Sequence, residues 1–230
     1  MKFGIVTFPG SNCDCDAYRA IVDSLGEEAV YLWHKDHDLM EVDVVILPGG
    51  FSYGDYLRAG AIARFSPIMR EIAAHANRGG PVLGICNGFQ IACEAGLLPG
   101  ALLRNETLQF VSAPVRVSVE NNRTLFTSGY EREQQITLPI AHGDGRYTAD
   151  NATLDAIESA GRVLFRYVDG NGEPTQLANP NGSANNIAGI VSSNGNVAGM
   201  MPHPERALDC LLGSDDGLLL FESMLAGVAA

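Results

Sequence analysis

Residues 81–88 read Pro-Val-Leu-Gly-Ile-Cys-Asn-Gly, an apolar run that reaches a cysteine flanked closely by glycines. We predict a buried strand over Pro81–Ile85 and a helix over Asn87–Ala95 that ends at Gly96. Cys86 then occupies the nucleophile position of a strand-turn-helix elbow, where the flanking glycines avoid a side-chain collision across the tight turn. The elbow also places the thiol at a helix N-terminus, whose dipole stabilises a thiolate.

The residues before this elbow repeat the same alternation of apolar runs and helix-like stretches. We predict a strand, a helix, two strands and a helix, with the bounds Lys2–Phe8, Asp16–Leu25, Ala29–Trp33, Val42–Leu47 and Ala61–Arg78. This order predicts an α/β fold whose mostly parallel sheet is covered by helices on both faces. Ligands of such sheets bind beyond the carboxyl ends of the strands, which is where Cys86 is expected.

The C-terminal half is predicted to contain shorter strands joined by loops. Their bounds are Pro114–Val119, Gln135–Ile140, Val163–Val168, Ile187–Val191 and Val197–Met201. An Asn-Gly pair at residues 194–195 predicts a hairpin between the last two strands. The segment Asp169–Asn186 is rich in Asn, Gly and Pro, so we predict a surface loop. Asp215–Leu225 is predicted as a closing helix with Ser214 as its N-cap.

Composition limits the classes of protein to which this chain can belong. The 230 residues carry a net charge of −12, and 46% of them are hydrophobic. A nucleic-acid-binding protein of this size has a basic face, so no nucleic-acid partner is expected. No apolar run approaches the ~18 residues of a membrane span, and Met1–Phe8 is too short for a signal peptide, so no membrane association is expected. We predict a single domain over residues 1–230.

The cysteine count bears on the cellular compartment. Five irregularly spaced cysteines argue against a disulfide framework, which indicates a cytoplasmic protein with reduced thiols. Cys13 and Cys15, taken with His34 and His37, lack the spacing of structural zinc sites, so no metal is predicted. His142 is either a rival base for the nucleophile or part of a loop that closes over a ligand.

A base for Cys86 is predicted in residues 201–205, Met-Pro-His-Pro-Glu. Pro204 disfavours helix at His203 and favours an extended conformation there. Residues two apart in an extended segment project the same way, so Glu205 could hold one ring nitrogen of His203. The other ring nitrogen would then be free to face the thiol. A turn with a solvated histidine and glutamate is the alternative.

A third element, residues 47–55, reads Leu-Pro-Gly-Gly-Phe-Ser-Tyr-Gly-Asp and follows a predicted strand. Its paired glycines would let the backbone approach a ligand closely. A backbone N–H near Gly50, together with that of Asn87, would form an oxyanion hole beside Cys86. The alternatives are a plain turn and a phosphate loop, and the second is disfavoured because no Gly-Lys-Ser/Thr follows.

Together these motifs resemble the class I, or triad, glutamine amidotransferases, and within that class the branch that serves purine biosynthesis. The resemblance is carried by residues 9–14, 48–63, 84–90, 141–143 and 200–206, and it spans nearly the whole chain. It implies a flavodoxin-like α/β fold with Cys86 as nucleophile, His203 as base and Glu205 as the acid that orients the base. It implies oxyanion donors at Gly50 and Asn87. The residues implied to help hold glutamine are Gln90, Gly143, Gly145 and Arg146.

The resemblance also implies the reaction and the partners. The chain would hydrolyse glutamine and deliver ammonia to a synthase subunit, which uses ATP and Mg to convert formylglycinamide ribonucleotide to its amidine. A small accessory subunit would join the complex, and the chain itself would carry no cofactor. Because the sequence ends at Ala230 as a free-standing glutaminase, a heteromeric partner is expected. The alternatives are an amidotransferase subunit for another synthase, a cysteine peptidase or hydrolase on a related fold, and a catalytically silent binding subunit.

Overall fold

The computed structural model describes residues 1–228, so the last two residues of the predicted domain lie outside the described residues. The strands are β1 (Lys2–Thr7), β2 (Glu28–Trp33), β3 (Val44–Leu47), β4 (Val82–Ile85), β5 (Ala101–Leu103), β6 (Val111–Val119), β7 (Gln135–His142), β8 (Arg146–Thr148), β9 (Val163–Tyr167), β10 (Ile187–Val191) and β11 (Val197–Met200). The helices are α1 (Asp14–Arg19), α2 (Pro67–Asn77), α3 (Asn87–Glu94), α4 (Asn151–Ser159) and α5 (Leu218–Val228).

A nine-stranded sheet forms the centre of the molecule, in the order β2-β1-β3-β4-β11-β10-β9-β6-β7. The strands from β2 to β11 in that order run parallel, and the remaining neighbours are antiparallel. The predicted α/β fold, with a sheet flanked by helices, is confirmed. The predicted hairpin is also present, because β10 and β11 are antiparallel neighbours joined through the Asn-Gly turn.

Four parallel strands bring distant parts of the chain to one edge of the sheet. β4 pairs on one side with β3 and on the other with β11, and β1 lies beyond β3. The carboxyl ends of parallel strands share an edge, so the segments that follow these four strands meet there. They are residues 8–13, 48–50, 86 and 201–203. This pairing places all the predicted catalytic motifs side by side.

Helix α3 packs so closely on the sheet that its backbone approaches the backbone of a strand. A Cβ added at Gly88 would lie 1.8 Å from the carbonyl oxygen of Leu47 in β3. On β11, which lies on the other side of β4, a Cβ added at Gly199 would lie 2.1 Å from the Phe89 ring. The glycines therefore let the helix that follows the nucleophile lie directly against β3 and β11, whose residues are buried.

The predicted helix over Ala61–Arg78 is wrong in its first third. Ala63–Phe65 forms a short 3₁₀ turn, Ser66 is extended (φ −61°, ψ 140°), and α2 begins at Pro67. Proline disfavours helical backbone at the residue before it, and its own missing N–H is tolerated at the first helical position. The sequence signal for this break was Pro67 itself.

The closing helix begins later than predicted. It starts at Leu218 rather than Asp215, and Ser214 is not its N-cap. The Asp216 carboxylate accepts the N–H of Thr137 at 2.6 Å, and the Gly217 N–H donates to Ala207 O at 2.7 Å. These contacts tie residues 214–217 to β7 and to the segment after β11 before the helix can begin.

Two strands and a helix were not predicted. Strands β5 and β8 form a separate two-stranded sheet. Helix α4 has a side-chain cap that the sequence shows, because the Asp150 carboxylate accepts the Thr153 N–H at 2.7 Å. Within residues 1–228, no helix combines the length and the apolar character that crossing a bilayer would need.

Candidate active site

Cys86 lies in a strained turn between β4 and α3. Its backbone has φ 50° and ψ −104°. This conformation is unfavourable for a residue that has a side chain, and residues held in such conformations are found most often at functional sites. Its N–H donates to Met200 O at 2.8 Å, which links the turn to the end of β11. A Cβ added at Gly84 would lie 2.6 Å from Gly88 O, so the two glycines make this turn possible.

His203 and Glu205 form a buried pair at the same edge of the sheet. His203 precedes the 3₁₀ turn Pro204–Arg206, and its backbone is non-helical (φ −103°, ψ 89°). Its Nδ1 lies 2.6 Å from Oε1 of Glu205, and only 2% and 3% of the two residues is exposed. The His203 N–H donates to Pro139 O, which fixes the segment against β7. The arrangement leaves Nε2 of His203 for a reacting group.

The surroundings of His203 favour its protonated form. Burial lowers the pKa of His203, but the Glu205 carboxylate and the thiols of Cys86 and Cys13 together raise it well above its usual value. Nε2 has no aligned hydrogen bond to any residue in the 1–228 range, yet it lies close enough to both thiols to interact with them. A protonated imidazole beside a thiol stabilises the thiolate, which is the nucleophilic form.

Cys13 is a second buried thiol in this site, and the sequence analysis did not assign it a role there. Its Sγ lies 3.2 Å from Nη2 of Arg206 and 3.1 Å from Oδ1 of Asn12. A Cβ added at Gly49 would lie 3.0 Å from this sulfur and 2.8 Å from the His203 ring. The available signal was topological, because Cys13 follows β1 and the carboxyl ends of the parallel strands share an edge.

A cavity of about 430 Å³ opens above Cys86, within the range of small-molecule sites. Of the residues predicted for the site, it is lined by Cys86, Gly50, Gln90 and Gly143. We call it the wide cavity. A second cavity of about 130 Å³, the narrow cavity, adjoins it and is lined by Cys13, Cys86 and His203 among others. Cys86 lines both, so its thiol can meet a ligand on one side and the base on the other.

The two predicted oxyanion donors lie in the segment after β3 and at the start of α3. Gly50 has φ 143°, and a Cβ there would lie 2.8 Å from Cα of Ser11, so the position requires glycine. Asn87 is the first residue of α3, where backbone N–H groups have no intrahelical acceptor. The Asn87 side chain accepts the Ser52 N–H at 3.1 Å and donates to Gln90 Oε1 at 2.8 Å. Their role as oxyanion donors stays a prediction.

Two of the residues predicted to hold glutamine lie away from the wide cavity. Gly145 is covered by the His142 ring, which a Cβ at that position would meet at 2.3 Å, and Arg146 lies in β8. Neither lines the cavity, whereas Gln90 does, and Nε2 of Gln90 also donates to Asp144 O at 2.6 Å. Gln90 therefore anchors the loop that forms one wall.

His142 is held in a buried polar network rather than by an acid. Its Nδ1 lies 3.1 Å from Oδ1 of Asn105, and that oxygen also accepts the Gly145 N–H at 2.9 Å. Burial, followed by the charge of His203, lowers the pKa of His142 to about 4, so its ring is neutral at physiological pH. Because its partner is an amide and not a carboxylate, His142 lacks the orienting acid of a catalytic base.

The predicted surface loop Asp169–Asn186 contributes to this network, so that prediction is wrong for its second half. Asn181 is 1% exposed and its Nδ2 donates to Gly145 O at 2.9 Å. Ser183 is buried too, and its hydroxyl donates to Asn181 Oδ1 at 2.7 Å. Polar composition suggested exposure, but these side chains satisfy the buried backbone of the 142–145 loop instead.

Charged side chains that the sequence analysis did not select also line the wide cavity. They are Asp55, Arg104 and Asp144. Arg104 faces Asp144, with Nε 3.8 Å from Oδ1. Burial, and then the charge of Asp144, raises the pKa of Asp55 to about 6. The cavity therefore presents groups of both signs to a ligand.

Comparison with known proteins gives a consistent result. Residues 1–214 match the family described as CobB/CobQ-like glutamine amidotransferase domain. The chain is similar to the phosphoribosylformylglycinamidine synthase subunit PurQ of Chlorobaculum tepidum, at 59% identity over 98% of this chain and 97% of the relative. It is 57% identical to the protein of that name from Salinibacter ruber, over 99% and 97% of the two chains. A chain in the structure of PurLQS from Thermotoga maritima has a TM-score of 0.87 and 45% identity, over 98% of this chain and 97% of that one.

Proposed function

Because this chain belongs to the CobB/CobQ-like glutamine amidotransferase family, we infer that it is the glutaminase subunit of a phosphoribosylformylglycinamidine synthase. It hydrolyses glutamine to glutamate and ammonia for purine biosynthesis. The ammonia passes to a synthase subunit that converts formylglycinamide ribonucleotide to formylglycinamidine ribonucleotide with ATP. The Thermotoga maritima PurLQS structure supports a complex with that synthase subunit and a small third subunit. We place the reaction in the cytoplasm, with ATP and Mg bound by the partner and no cofactor in this chain.

One observation carries the assignment of the chemistry to named residues. A cysteine in a strained elbow shares a cavity with a histidine whose other ring nitrogen is held at 2.6 Å by a buried carboxylate. This is the geometry of a nucleophile, a base and an orienting acid. The residues are Cys86, His203 and Glu205, and each comes from the carboxyl edge of the parallel strands.

The first half-reaction forms a bond to sulfur and releases ammonia. The Cys86 thiolate attacks the side-chain carbonyl carbon of glutamine, and the carbonyl oxygen takes the negative charge. The N–H groups of Gly50 and Asn87 stabilise that oxygen, a contribution of about 3 kcal/mol per donor. His203 gives its proton to the amide nitrogen as the carbon–nitrogen bond breaks. The products are ammonia and a γ-glutamyl thioester on Cys86.

The second half-reaction restores the enzyme. His203, now neutral, takes a proton from water, and the hydroxide oxygen attacks the thioester carbon. The carbon–sulfur bond breaks, glutamate leaves, and the Cys86 thiolate is again paired with protonated His203. Glu205 stabilises the positive imidazole in both resting and reacting states through its 2.6 Å contact with Nδ1.

The charged groups of the wide cavity suit the amino-acid end of glutamine. We assign the α-ammonium group to Asp55 and Asp144, and the α-carboxylate to Arg104. The raised pKa of Asp55, about 6, reflects burial of its carboxylate and, next, the charge of Asp144, and a neighbouring cation would favour the ionised form. A bound ammonium group would supply that cation.

Labelling with the glutamine analogue 6-diazo-5-oxo-norleucine tests the function. Peptide mass mapping is expected to show one adduct, on Cys86, which excess glutamine prevents. In a His203→Ala variant the adduct should form far more slowly at matched time, whereas Cys210→Ser, which removes an exposed cysteine, should label like the wild type. An adduct on Cys13 instead, or no adduct even with the synthase partner present, would overturn the assignment.

Asp55→Asn is expected to stabilise the fold at neutral pH and to weaken glutamine binding. The pKa of Asp55 is about 6 in the folded chain against an ordinary value of 3.8, so folding takes up a proton between those values. Stability is therefore lost as pH rises through this window, and asparagine removes that loss. Urea midpoints should show Asp55→Asn above the wild type at pH 7.5, with the difference vanishing near pH 4. The KM for glutamine should rise about tenfold, the size of one charged hydrogen bond.

An exposed aspartate provides the control for this prediction. Asp36→Asn should leave the free energy of unfolding within about 0.5 kcal/mol of the wild type at both pH values, and leave the KM unchanged. An Asp55→Asn chain that is less stable than the wild type at pH 7.5 would show that the Asp55 carboxylate is a net stabilising group. An unchanged KM would remove Asp55 from the ammonium subsite.

A further inference from the structure

The thiol of Cys13 lies beside the base, in a position that the proposed reaction does not use. Ligand atoms from Cys13, His203 and Glu205 all lie within 4.8 Å of one another, and all three residues are buried. Sulfur, imidazole nitrogen and carboxylate oxygen are the ligands of thiophilic divalent cations such as Zn²⁺. Ligand atoms on one tetrahedral zinc are about 3.6 Å apart, given bond lengths of about 2.0–2.3 Å. A shift of about 1 Å would bring the Cys13 sulfur and a ring nitrogen of His203 to this spacing, while Glu205 holds the other ring nitrogen.

Unpartnered buried atoms provide a second, independent observation. Nε2 of His203 and Oε2 of Glu205 have no hydrogen-bond partner among residues 1–228, although both residues are at least nine-tenths buried. Buried polar atoms are normally paired, so an unpaired ring nitrogen that faces sulfur has room for a ligand. The other ring nitrogen is already held by Glu205, which is the arrangement that orients histidine ligands in metal sites.

Cys86 completes the donor set. The narrow cavity of about 130 Å³ is lined by Cys13, Cys86 and His203, so the two thiols and the ring nitrogen face one enclosed space. That space is large enough for an ion and a water molecule. We propose that Cys13, Cys86 and His203 form an inhibitory site for one thiophilic divalent cation, with water as the fourth ligand.

The binding step is an ion exchange without electron transfer. Zn²⁺ forms bonds to both sulfurs and to Nε2 of His203, and any protons on those three atoms pass to solvent. The nucleophile and the base are then both engaged, so glutamine hydrolysis stops until the ion leaves. This inhibitory consequence rests on the proposed function, whereas the binding itself does not.

Arg206 keeps this site from being a permanent metal centre. Its guanidinium lies 3.2 Å from Cys13 Sγ and is itself held by Asp16, with Nε 2.9 Å from Oδ2. The positive guanidinium repels a divalent cation bound at this sulfur. Because Asp16 holds the Arg206 guanidinium in place, its positive charge weakens the binding of the ion. The site is therefore suited to reversible binding.

Direct titration tests the site without reference to activity. The reduced chain, kept anaerobic, is titrated with Cd²⁺ while the ultraviolet charge-transfer absorption of cadmium thiolate is recorded, and with Zn²⁺ against a chromogenic chelator. The expected result is one ion per chain. Cys13→Ser should bind at least tenfold more weakly with about half the absorption, because one of two thiolates is lost. Cys15→Ser and Cys210→Ser, which remove exposed cysteines, should bind like the wild type.

A second measurement uses the unaltered chain, in case Cys13→Ser does not fold. Zn²⁺ should protect Cys13 and Cys86 together from alkylation, as read by peptide mass mapping, and should not protect Cys15 or Cys210. Wild-type affinity in Cys13→Ser, or protection of Cys86 without Cys13, would overturn the proposal. Loss of binding in Cys15→Ser would move the ion to the exposed loop and overturn it too.

The inhibitory role has its own readout. Zn²⁺ should stop glutaminase turnover in the complex with the synthase partner, and a chelator should restore it. Binding of the ion without inhibition would overturn the inhibitory role alone. A chain that binds the ion but is not labelled by the glutamine analogue would instead count against the proposed function.

Discussion

Replacing Cys86 by alanine is expected to reduce glutamine-dependent synthesis by the complex about 10⁴-fold or more. The thiolate supplies the bond that holds the γ-glutamyl group, and within residues 1–228 no other residue lining the wide cavity offers a thiol. Synthesis from added ammonia should continue at the wild-type rate, because that reaction occurs in the partner. The measurement is amidine formation by the reconstituted complex, with either glutamine or ammonium as nitrogen source.

The control for this prediction removes a different buried thiol, which lies in the helix that follows Cys86. Cys93 lies in α3 and is 8% exposed, and burial raises the pKa of its thiol far above the usual range, which makes it a poor nucleophile. Cys93→Ala should keep glutamine-dependent synthesis within about threefold of the wild type, since its loss is a packing change. If Cys86→Ala lowered the ammonia-dependent rate equally, the effect would be on assembly and not on the nucleophile.

The base and its orienting acid have different roles in the catalytic unit. His203 transfers protons, whereas Glu205 acts through His203 and touches no reacting atom. Catalytic residues that act as a unit are not additive, so a Cys86→Ala, His203→Ala double variant should be no worse than Cys86→Ala alone. We therefore expect the two substitutions to disable the same catalytic unit, so that their effects on the rate do not add.

The parts of the site that depend on short-range geometry could be predicted from the sequence. The elbow at Cys86 requires only a strand, a helix and two glycines within eight residues, and each leaves a local signal. The pairing of His203 with Glu205 is predicted from one proline and a two-residue spacing, and the contact is present although Glu205 lies in a 3₁₀ turn and not in an extended segment. Both are read within a single segment, where backbone conformation determines which side chains face each other.

The parts that depend on sheet order could not be predicted in the same way. Strand β11 lies beside β4 although more than a hundred residues separate them, and this pairing brings His203 to Cys86. Cys13, which comes from the N-terminal part of the chain, lies at the same edge. No local pattern in the sequence indicates that it is a neighbour of His203. The family resemblance implies that Arg146 helps to hold glutamine, but this residue lies in β8, a strand that no local pattern predicts, so the sequence does not show where its side chain lies.

Polar composition was also a weak guide to burial. Asn181 and Ser183 belong to a segment that reads as a surface loop, yet they are buried against Gly145. A buried asparagine can satisfy several backbone groups at once, and it does so here where the loop between β7 and β8 lacks regular structure. Composition cannot distinguish such a residue from a solvated one, because the difference lies in which backbone groups it meets.

Gly88→Ala is expected to destabilise the fold by about 3 kcal/mol and to remove most glutaminase activity. Helix propensity alone predicts the opposite sign, since alanine is favoured over glycine within a helix by about 1 kcal/mol. The added methyl group would lie 1.8 Å from Leu47 O and 2.5 Å from Leu47 C, and both are backbone atoms that cannot rotate away. Helix α3 must therefore move off β3, and the first residues of that helix carry the Asn87 N–H. Urea unfolding and the glutaminase rate measure the two effects.

Gly170→Ala is the matched control, because an added Cβ at that exposed position meets only the end of the Arg116 side chain, at 3.3 Å. It should change the free energy of unfolding by less than about 0.5 kcal/mol and leave the rate intact. A stable and active Gly88→Ala chain would mean that α3 can shift without cost to the elbow. In that case a group other than the Asn87 N–H would have to stabilise the oxyanion. A stable but inactive chain would instead show that the close contact between α3 and β3 is needed for the geometry of the elbow. It would also show that the fold forms without that contact.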